Sequence, residues 1–230
     1  MPYSQTLSLV HVAIPKTGTT SVVRALLDLH ARHGGELTLV KERVDRAFRR
    51  RHGLDMLAEK KPGRAKHLSA AQLRLILGER YDEAFSFSFV RNPWARAVSR
   101  YHFTHVSSRP PLWDRLRRGT GRRFHRLSFH QWLRRRAEEA ERKGGLPCQL
   151  DKLIGPEGGL IVDFVGRLEA VDEGFARVCR EAGVEPIPVP HVNGTGQGRR
   201  YVEHYDGWSR DLVADLYRRD LDAFGYEFGR

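Results

Sequence analysis

The sequence contains few cysteines, no long apolar run and fewer acidic than basic residues. Its two cysteines, Cys148 and Cys179, can form one bridge at most, so a disulfide-stapled fold is excluded and two free thiols are the simpler expectation. No segment reaches the roughly eighteen consecutive apolar residues that a membrane span requires, and no charged and then apolar leader is present. We therefore expect no membrane span and a cytoplasmic location.

The excess of basic residues points to an anionic partner. Lysine and arginine number 40 against 28 aspartates and glutamates, which gives a net charge of +12. No helix-turn-helix, zinc or aromatic-stacking pattern accompanies this charge, so nucleic acid is not expected as the partner. No spacing of residues typical of metal ligands is visible either, and we expect no metal.

Several arginine clusters carry much of this charge. Each is interpreted first as a solvated helix face, and binding of an anionic glycan is the alternative. In the last cluster, glutamates follow the arginines at helical spacing and predict local ion pairs. The clusters are Arg49 to Arg51, Arg115 to Arg118, Arg122 with Arg123, and Arg134 to Arg136.

A strand, a short loop and a helix are predicted at the start of the chain. An apolar run predicts a buried strand over 7–14, and apolar residues at helical spacing predict a helix over 20–33. The uncapped N–H groups of a helix N-terminus, a lysine charge and hydroxyl donors suit a phosphate group. The lysine precedes the glycine, unlike in the nucleoside-triphosphate loop G-x-x-x-x-G-K-[ST], and a polar turn is the alternative interpretation. The loop residues are Pro15, Lys16, Thr17, Gly18, Thr19, Thr20 and Ser21.

A second strand, turn and helix are predicted over 84–103. Phenylalanines alternate over 85–89 as they do in strands, and Asn92-Pro93 is a helix-start signal. Arg91 lies where this strand ends. Because ligands of open α/β sheets bind outside the carboxyl ends of strands, Arg91 is suited to hold a second phosphate of the same ligand. A surface arginine paired with a carboxylate is the alternative.

Strands and helices alternate along the chain and predict an α/β fold, a P-loop-containing three-layer arrangement in which helices flank a central, mainly parallel sheet. Length and composition favour a single domain over residues 1–230. The other predicted elements are strands over 37–40 and 160–166, helices over 41–60, 69–79, 128–142 and 170–182, loops at Pro62-Gly63 and 107–121, and a mobile lid over 185–200.

Together, the two loop segments resemble the sulfotransferase family, whose members transfer a sulfuryl group from 3′-phosphoadenosine 5′-phosphosulfate (PAPS). The loop 15–21 resembles the family's 5′-phosphosulfate loop, and Arg91 with Ser99 resembles its 3′-phosphate pair. The form Arg-Asn-Pro-Trp at 91–94 is most similar to the carbohydrate branch, which includes heparan 2-O-sulfotransferase-like and bacterial members.

The resemblance continues over most of the chain. Residues 163–182 are similar to the family's next strand and helix, and 212–228 to its C-terminal helix and final turn. One further segment resembles the loop that covers the bound nucleotide, and its candidate contacts are Gly198, Arg199, Arg200 and Tyr201. These similarities imply one sulfotransferase domain over 1–230.

The resemblance implies PAPS as cosubstrate and an acceptor hydroxyl on a glycan or a glycosylated small molecule. Lys16 is expected to stabilise the leaving phosphate. His67 lies upstream of the Arg-Asn-Pro motif, where the glycan branch has a catalytic histidine, and is expected to accept the acceptor's proton. His102, His191 and Glu59 are the alternative bases. Gly18-Thr19 departs from the Gly-Gly of many glycan-branch loops.

Two other functions stay open on the sequence. A kinase-like phosphotransferase with a P-loop would need Mg²⁺ and an acidic partner residue, which the spacing does not reveal. A non-enzymatic polyanion-binding protein would use the arginine clusters on the same scaffold, and its binding would be sensitive to salt.

Overall fold

A computed structural model describes residues 2–35, 37–39, 67–104, 127–192 and 200–230. These residues divide into two compact units. The first holds residues up to Arg91 together with 148–192, and the second holds 92–104, 127–147 and 200–230. The predicted helix 41–60 and the loops at Pro62-Gly63 and 107–121 lie outside the described residues. The assignment of a single domain to 1–230 stays a prediction.

The first unit is built on a sheet with the strand order β3-β1-β2-β4-β5. β4 is parallel to both β2 and β5, whereas β1 runs antiparallel to β2 and to β3. The α/β class with a central sheet flanked by helices is therefore confirmed, and the antiparallel pairs lie at one end of the sheet. The strands are β1 (Pro2–Ser4), β2 (Leu9–His11), β3 (Leu37–Leu39), β4 (Phe85–Val90) and β5 (Phe164–Arg167).

Helices follow or precede each parallel strand. In chain order they are α1 (Thr19–His33), α2 (Ala70–Leu77), α3 (Glu79–Asp82), α4 (Pro93–His102), α5 (Phe129–Lys143), α6 (Val171–Glu181), α7 (Gly207–Leu216) and α8 (Arg218–Phe224). The helices predicted before residue 185 within the described ranges are confirmed, with ends shifted by a few residues. The C-terminal helix is divided at Tyr217. None of the helices in these ranges is long and apolar enough to cross a membrane.

The predicted strand 7–14 is wrong in extent. Residues 5–8 form a turn, in which Ser8 has a φ of 46° and its N–H donates to the Gln5 carbonyl at 3.3 Å. Leu7 lies in this turn and is nevertheless buried. An apolar residue in the sequence therefore indicates burial here, but not pairing in a strand. The strand predicted over 160–166 begins only at Phe164, since Leu160 forms an isolated antiparallel bridge with Ile154.

The alternation along β4 separates the two faces of the sheet. Phe87 and Phe89 are fully buried in a core shared with α1 and α6. Ser86 and Ser88 are also buried, on the other face, where their hydroxyls need partners. The Ser88 hydroxyl donates to the Val12 carbonyl at 2.6 Å, and the Ser86 hydroxyl donates to the Asp163 carboxylate at 2.7 Å. Both cysteines are free thiols, as expected, and both are buried.

The second unit is organised around Trp94 at the start of α4. Its indole N–H donates to the Arg210 carbonyl at 2.9 Å, and the Tyr205 hydroxyl donates to the Trp94 carbonyl at 2.9 Å. Asn92 caps α4 through its side-chain oxygen, while its amide N–H group donates to the Glu227 carbonyl at 3.0 Å. The C-terminal turn is thereby fastened to the start of α4.

Two glycines of the first unit make room for the Phe89 ring. A Cβ atom at Gly166 of β5 would lie 2.6 Å from Phe89 Cε1, and one at Gly174 of α6 would lie 2.7 Å from the same atom. Because the ring is fully buried, it has no space into which to move. Close approach of the helix to the strand therefore requires glycine at these two positions.

Gly174→Ala is expected to lower the free energy of unfolding by about 1–3 kcal/mol, because overpacking outweighs the roughly 1 kcal/mol that alanine gains over glycine in a helix. Denaturant unfolding monitored by circular dichroism measures the change. Gly207→Ala is the control, since no described atom lies within 4 Å of a Cβ added at this first residue of α7. Equal stability of both variants would contradict the packing described for Phe89.

Candidate functional site

The carboxyl ends of the three parallel strands carry basic residues. Lys16 follows β2 after a short connection, Arg91 follows β4 directly, and Arg167 is the last residue of β5. Because parallel strands end at the same edge of a sheet, the first unit by itself presents a basic edge. This is the edge at which open α/β sheets bind ligands.

The loop before α1 is shaped by its own threonines. The hydroxyls of Thr17 and Thr19 donate to the Ile14 carbonyl at 3.0 and 2.8 Å. Gly18 has a φ of 74°, and a Cβ there would lie 2.5 Å from Leu168 Cδ1, so both conformation and space call for glycine. These two hydroxyl protons are thus bonded inside the loop, and no side chain in the described ranges caps the main-chain N–H groups at the start of α1.

The N-terminus of α1 has no side-chain cap within the described part of the chain. Gly18 occupies the N-cap position, and the first turn contains no acidic residue. By contrast, capping boxes are present at the N-termini of α2, α5 and α7, with Ser69, Ser128 and Asp206 as the N-cap residues. An uncapped helix N-terminus directs N–H groups and the positive end of the helix dipole at its surroundings, which favours a bound anion.

Lys16 and Arg91 lie close together at this helix end. The Arg91 guanidinium donates from Nη1 to the Lys16 carbonyl at 3.5 Å, a long contact. Lys16 has a φ of 73°, a conformation that costs a non-glycine residue on the order of 1 kcal/mol. Burial of the ammonium, and then the Arg91 charge, lower the pKa of Lys16. An anion between the two cations would offset their repulsion.

A residue outside every sequence motif holds the main chain at Arg91. The Gln149 side chain is fully buried, and its Oε1 accepts from the Arg91 N–H at 2.9 Å. Its Nε2 donates back to the Arg91 carbonyl, also at 2.9 Å. This pair of hydrogen bonds continues the pairing of β4 by one residue beyond Val90. Sequence reasoning missed Gln149, because the contact is made across the fold and carries no local signal.

His67 lies just before α2 in the first unit. Its Nδ1 is 3.1 Å from the Ala13 carbonyl. Because a carbonyl only accepts, Nδ1 carries the hydrogen, and Nε2 of the neutral ring is the nitrogen that can take up a proton. The His67 carbonyl accepts from Lys152 Nζ at 2.8 Å. Both the ring and the main chain of His67 are therefore held by hydrogen bonds.

The remaining predicted contacts lie in other places. Ser99 is half-buried on α4, and Arg200 is exposed; both belong to the second unit. Tyr201 of the same unit is buried, and its hydroxyl accepts from the Gly229 N–H at 2.8 Å. Gly198 and Arg199 lie outside the described residues. A nucleotide-binding role for these residues stays a prediction.

The loop residue Ser21 has a hydrogen-bond partner, and the alternative proton acceptors lie elsewhere in the chain. The Ser21 hydroxyl accepts from the Val192 N–H at 3.3 Å, within the first unit. His102 lies on α4 of the second unit, where burial and then His204 lower its pKa. His191 is exposed, and Glu59 lies outside the described residues. In the described ranges, no group of three or more histidine, cysteine or carboxylate residues is arranged to hold a metal ion.

Only one of the arginine clusters falls within the described ranges, and its members differ. Arg136 forms an ion pair with Glu139, as predicted, and Lys143 bonds the same carboxylate at 2.7 Å. Arg134 lies instead 5.4 Å from the centre of the Trp208 ring, an arrangement typical of a cation–π contact. The clusters at 49–51, 115–118 and 122–123 lie outside the described residues.

His11 is a buried histidine close to the predicted base. Its ring stacks on Phe87 with 5.0 Å between centroids, and its Nδ1 has no hydrogen-bond partner among the described residues. Burial chiefly, with a smaller contribution from His67, lowers the pKa of His11 to about 3. The ring is therefore neutral in the folded protein at ordinary pH.

Comparison with known proteins identifies a family. The family model described as "Sulfotransferase family" matches residues 3–227, which is nearly the whole chain. Neither the curated proteins nor the solved structures that were searched contain a match.

His11 is expected to make the fold less stable in acid. An unfolded histidine binds its proton near pH 6.5 and the folded one only near 3, so the unfolded state binds more protons between these values. The free energy of unfolding is unaffected above this window and falls by up to about 1.4 kcal/mol per pH unit within it. Urea unfolding at neutral and at mildly acidic pH measures this loss.

The comparison uses His11→Leu, which is expected to lose less stability in acid than the wild type. His33→Gln is the control, because His33 is exposed at the end of α1 and the variant should retain the full loss. An undiminished loss in His11→Leu would contradict the role assigned to His11.

Proposed function

Because the chain belongs to the sulfotransferase family, we propose that it transfers a sulfuryl group from PAPS to a hydroxyl group of a carbohydrate acceptor. Membership implies sulfuryl transfer to an acceptor hydroxyl in general, and PAPS and the carbohydrate are the specific parts of the proposal. The observation that carries it is the basic edge of the first unit. There the uncapped N-terminus of α1 meets the charges of Lys16 and Arg91.

The residues present at this edge fit the charges of PAPS. Loop 15–21 and the first turn of α1 are proposed to hold the 5′-phosphosulfate, with main-chain N–H groups as donors. Arg91 is proposed to bind the 3′-phosphate, since a guanidinium matches phosphate geometry with two parallel N–H groups. For Ser99, the family resemblance alone supports the same proposed role. Gly198, Arg199, Arg200 and Tyr201 are the further proposed nucleotide contacts.

In sulfuryl transfer, the bond from sulfur to the phosphate oxygen breaks while a bond from sulfur to the acceptor oxygen forms. Negative charge then develops on the departing phosphate oxygen, and the ammonium of Lys16 is the proposed group that stabilises it. The acceptor's proton is proposed to pass to His67 Nε2. The hydrogen bond from Nδ1 to Ala13 supports this role, because it fixes the tautomer in which Nε2 is the basic nitrogen.

A carbohydrate acceptor is supported by two sequence observations. The form Arg-Asn-Pro-Trp at 91–94, with Ser-Arg-Tyr at 99–101, is most similar to that of the carbohydrate branch. The net charge of +12 also suits an acceptor that bears anionic groups. Sulfur-labelled PAPS, incubated with a panel of partly desulfated glycosaminoglycan oligosaccharides, tests the complete proposal. Labelled saccharide is the expected result, and transfer to none of the panel would contradict the carbohydrate assignment.

Removal of either cation at the basic edge is expected to impair the donor site. Arg91→Ala should weaken binding of adenosine 3′,5′-bisphosphate at least about tenfold, because it removes a charge-assisted hydrogen-bonding group. Lys16→Ala should lower kcat by about a hundredfold, the usual effect of losing a donor at developing charge. Calorimetric titration without added metal measures the first effect, and turnover of labelled PAPS measures the second.

The matched control for both is Arg80→Ala, which removes the same charge from the exposed surface of α3, at the other end of β4. We expect its affinity and turnover to stay near those of the wild type. If Arg91→Ala binds the bisphosphate as well as Arg80→Ala does, the assignment of the nucleotide site is wrong. Binding of ATP with Mg²⁺ in preference to the bisphosphate would favour the phosphotransferase alternative instead.

His67→Asn is expected to retain nucleotide binding and to lose at least about a hundredfold in kcat. The asparagine amide can still donate to the Ala13 carbonyl, as Nδ1 does, but it cannot accept a proton. The variant therefore separates the base from the hydrogen bond that positions it. Turnover near the wild-type rate in His67→Asn would assign the base to another residue.

A further inference from the structure

One short turn of the first unit contacts both Arg91 and His67. Residues Leu150–Lys152 form a single 3₁₀ turn, which begins at Gln149. The turn is fixed by its own hydrogen bonds, because the Asp151 carboxylate accepts from the Cys148 N–H at 2.7 Å. Leu153 at its end is fully buried. We name this segment the 149–152 turn. Its main chain is held in place, so the side chains that extend from it have defined starting positions.

The first side chain of the turn sets the backbone of the predicted 3′-phosphate residue. Gln149 bonds both the N–H and the carbonyl of Arg91, each at 2.9 Å, from a fully buried position. A side-chain amide that bonds both main-chain groups of one residue restricts its φ and ψ angles as a neighbouring strand would. The direction in which the Arg91 side chain leaves the strand end therefore depends on Gln149.

The last side chain of the turn sets the backbone of the predicted base. Lys152 Nζ donates to the His67 carbonyl at 2.8 Å, while the His67 ring is bonded to Ala13. Burial lowers the pKa of Lys152, and the neighbouring Asp151 charge opposes this effect in part. The Lys152 side chain is half-buried, so its hydrogen bond to the His67 carbonyl is partly shielded from water.

We propose that the 149–152 turn positions the donor-binding and proton-accepting residues together, with Gln149 holding Arg91 and Lys152 holding His67. This inference rests on the proposed function. Neither residue is assigned contact with the reacting atoms, so both are positioning residues. Each acts on a different step: Gln149 on nucleotide affinity through Arg91, and Lys152 on proton transfer through His67.

Gln149→Met tests the first half of the proposal. The methionine keeps the volume but neither hydrogen bond, and we expect affinity for adenosine 3′,5′-bisphosphate to fall about tenfold, with unchanged ring signals of His67. Calorimetry and NMR of histidine-labelled protein give the two readouts. Loss of hydrogen-exchange protection at the Arg91 amide would accompany the change, and circular dichroism checks the fold.

Gln149→Glu gives a second readout, the pH dependence of bisphosphate affinity, which a role in packing alone would not change. A carboxylate accepts from the Arg91 N–H but opposes the Arg91 carbonyl, whereas a protonated carboxyl group donates to it. Because burial raises a carboxyl pKa, the affinity of this variant relative to wild type should recover as the pH is lowered from about 8 to about 5.5. A ratio that does not change with pH would contradict the proposed pairing.

Lys152→Met tests the second half. Bisphosphate affinity should stay within about twofold of the wild type, while the His67 ring loses its single Nδ1–H tautomer and kcat falls about tenfold with KM for PAPS unchanged. Lys152→Arg retains a donor and should restore part of the turnover. Unaltered ring signals and turnover in Lys152→Met would overturn this half of the proposal.

Glu157→Gln, on the exposed turn that follows, is the control and should leave both readouts at the wild-type level. Bisphosphate binding by Gln149→Met as tight as that of the control would overturn the inference alone. A folded wild-type protein that binds no bisphosphate would overturn the proposed function, and this inference with it. The two failures are thereby distinguishable.

Discussion

The parallel pairing of β2 with β4 is the constraint on which the rest of the first unit depends. It sets Leu9 opposite Phe85 and His11 opposite Phe87, and so brings the loop after β2 beside the residue after β4. The register is enforced by burial, because a slip of one residue would turn the phenylalanines of β4 toward the serine face. Lys16 and Arg91 are neighbours for this reason, although 75 positions separate them.

The basic edge concentrates features that lower stability. Lys16 adopts a left-handed conformation, two cations lie close together, α1 begins without a side-chain cap, and the His11 Nδ1 has no partner among the described residues. Such features gather where a ligand or a reaction requires them. The core of phenylalanines beneath α1 and α6 is fully buried and offsets their cost.

Local signals in the sequence were sufficient for most of the helices. Asn92-Pro93 marked the start of α4, and the residue pattern placed the starts of α2 and α5 within a residue of where Ser69 and Ser128 cap them. The strands were harder, since β1 has only three residues and an apolar run does not show where pairing begins. The turn at 5–8 overlaps the predicted strand 7–14, because Leu7 is buried in the core without being part of a strand.

The residues that carry charge at the basic edge could be identified from the sequence itself. Lys16, Gly18 and Arg91 stand at strand ends, where a turn must follow, and a turn at the start of a helix has its own chemical pattern. Gln149, Lys152 and Leu168 have no such pattern. Gln149 meets Arg91 across 58 positions, and Lys152 meets His67 across 85, so only chain packing could bring them together. The sequence alone determined which groups bear charge and where helices begin, because both are local properties. The tertiary structure decided which main-chain groups those side chains bind, because such contacts depend on the register of distant strands.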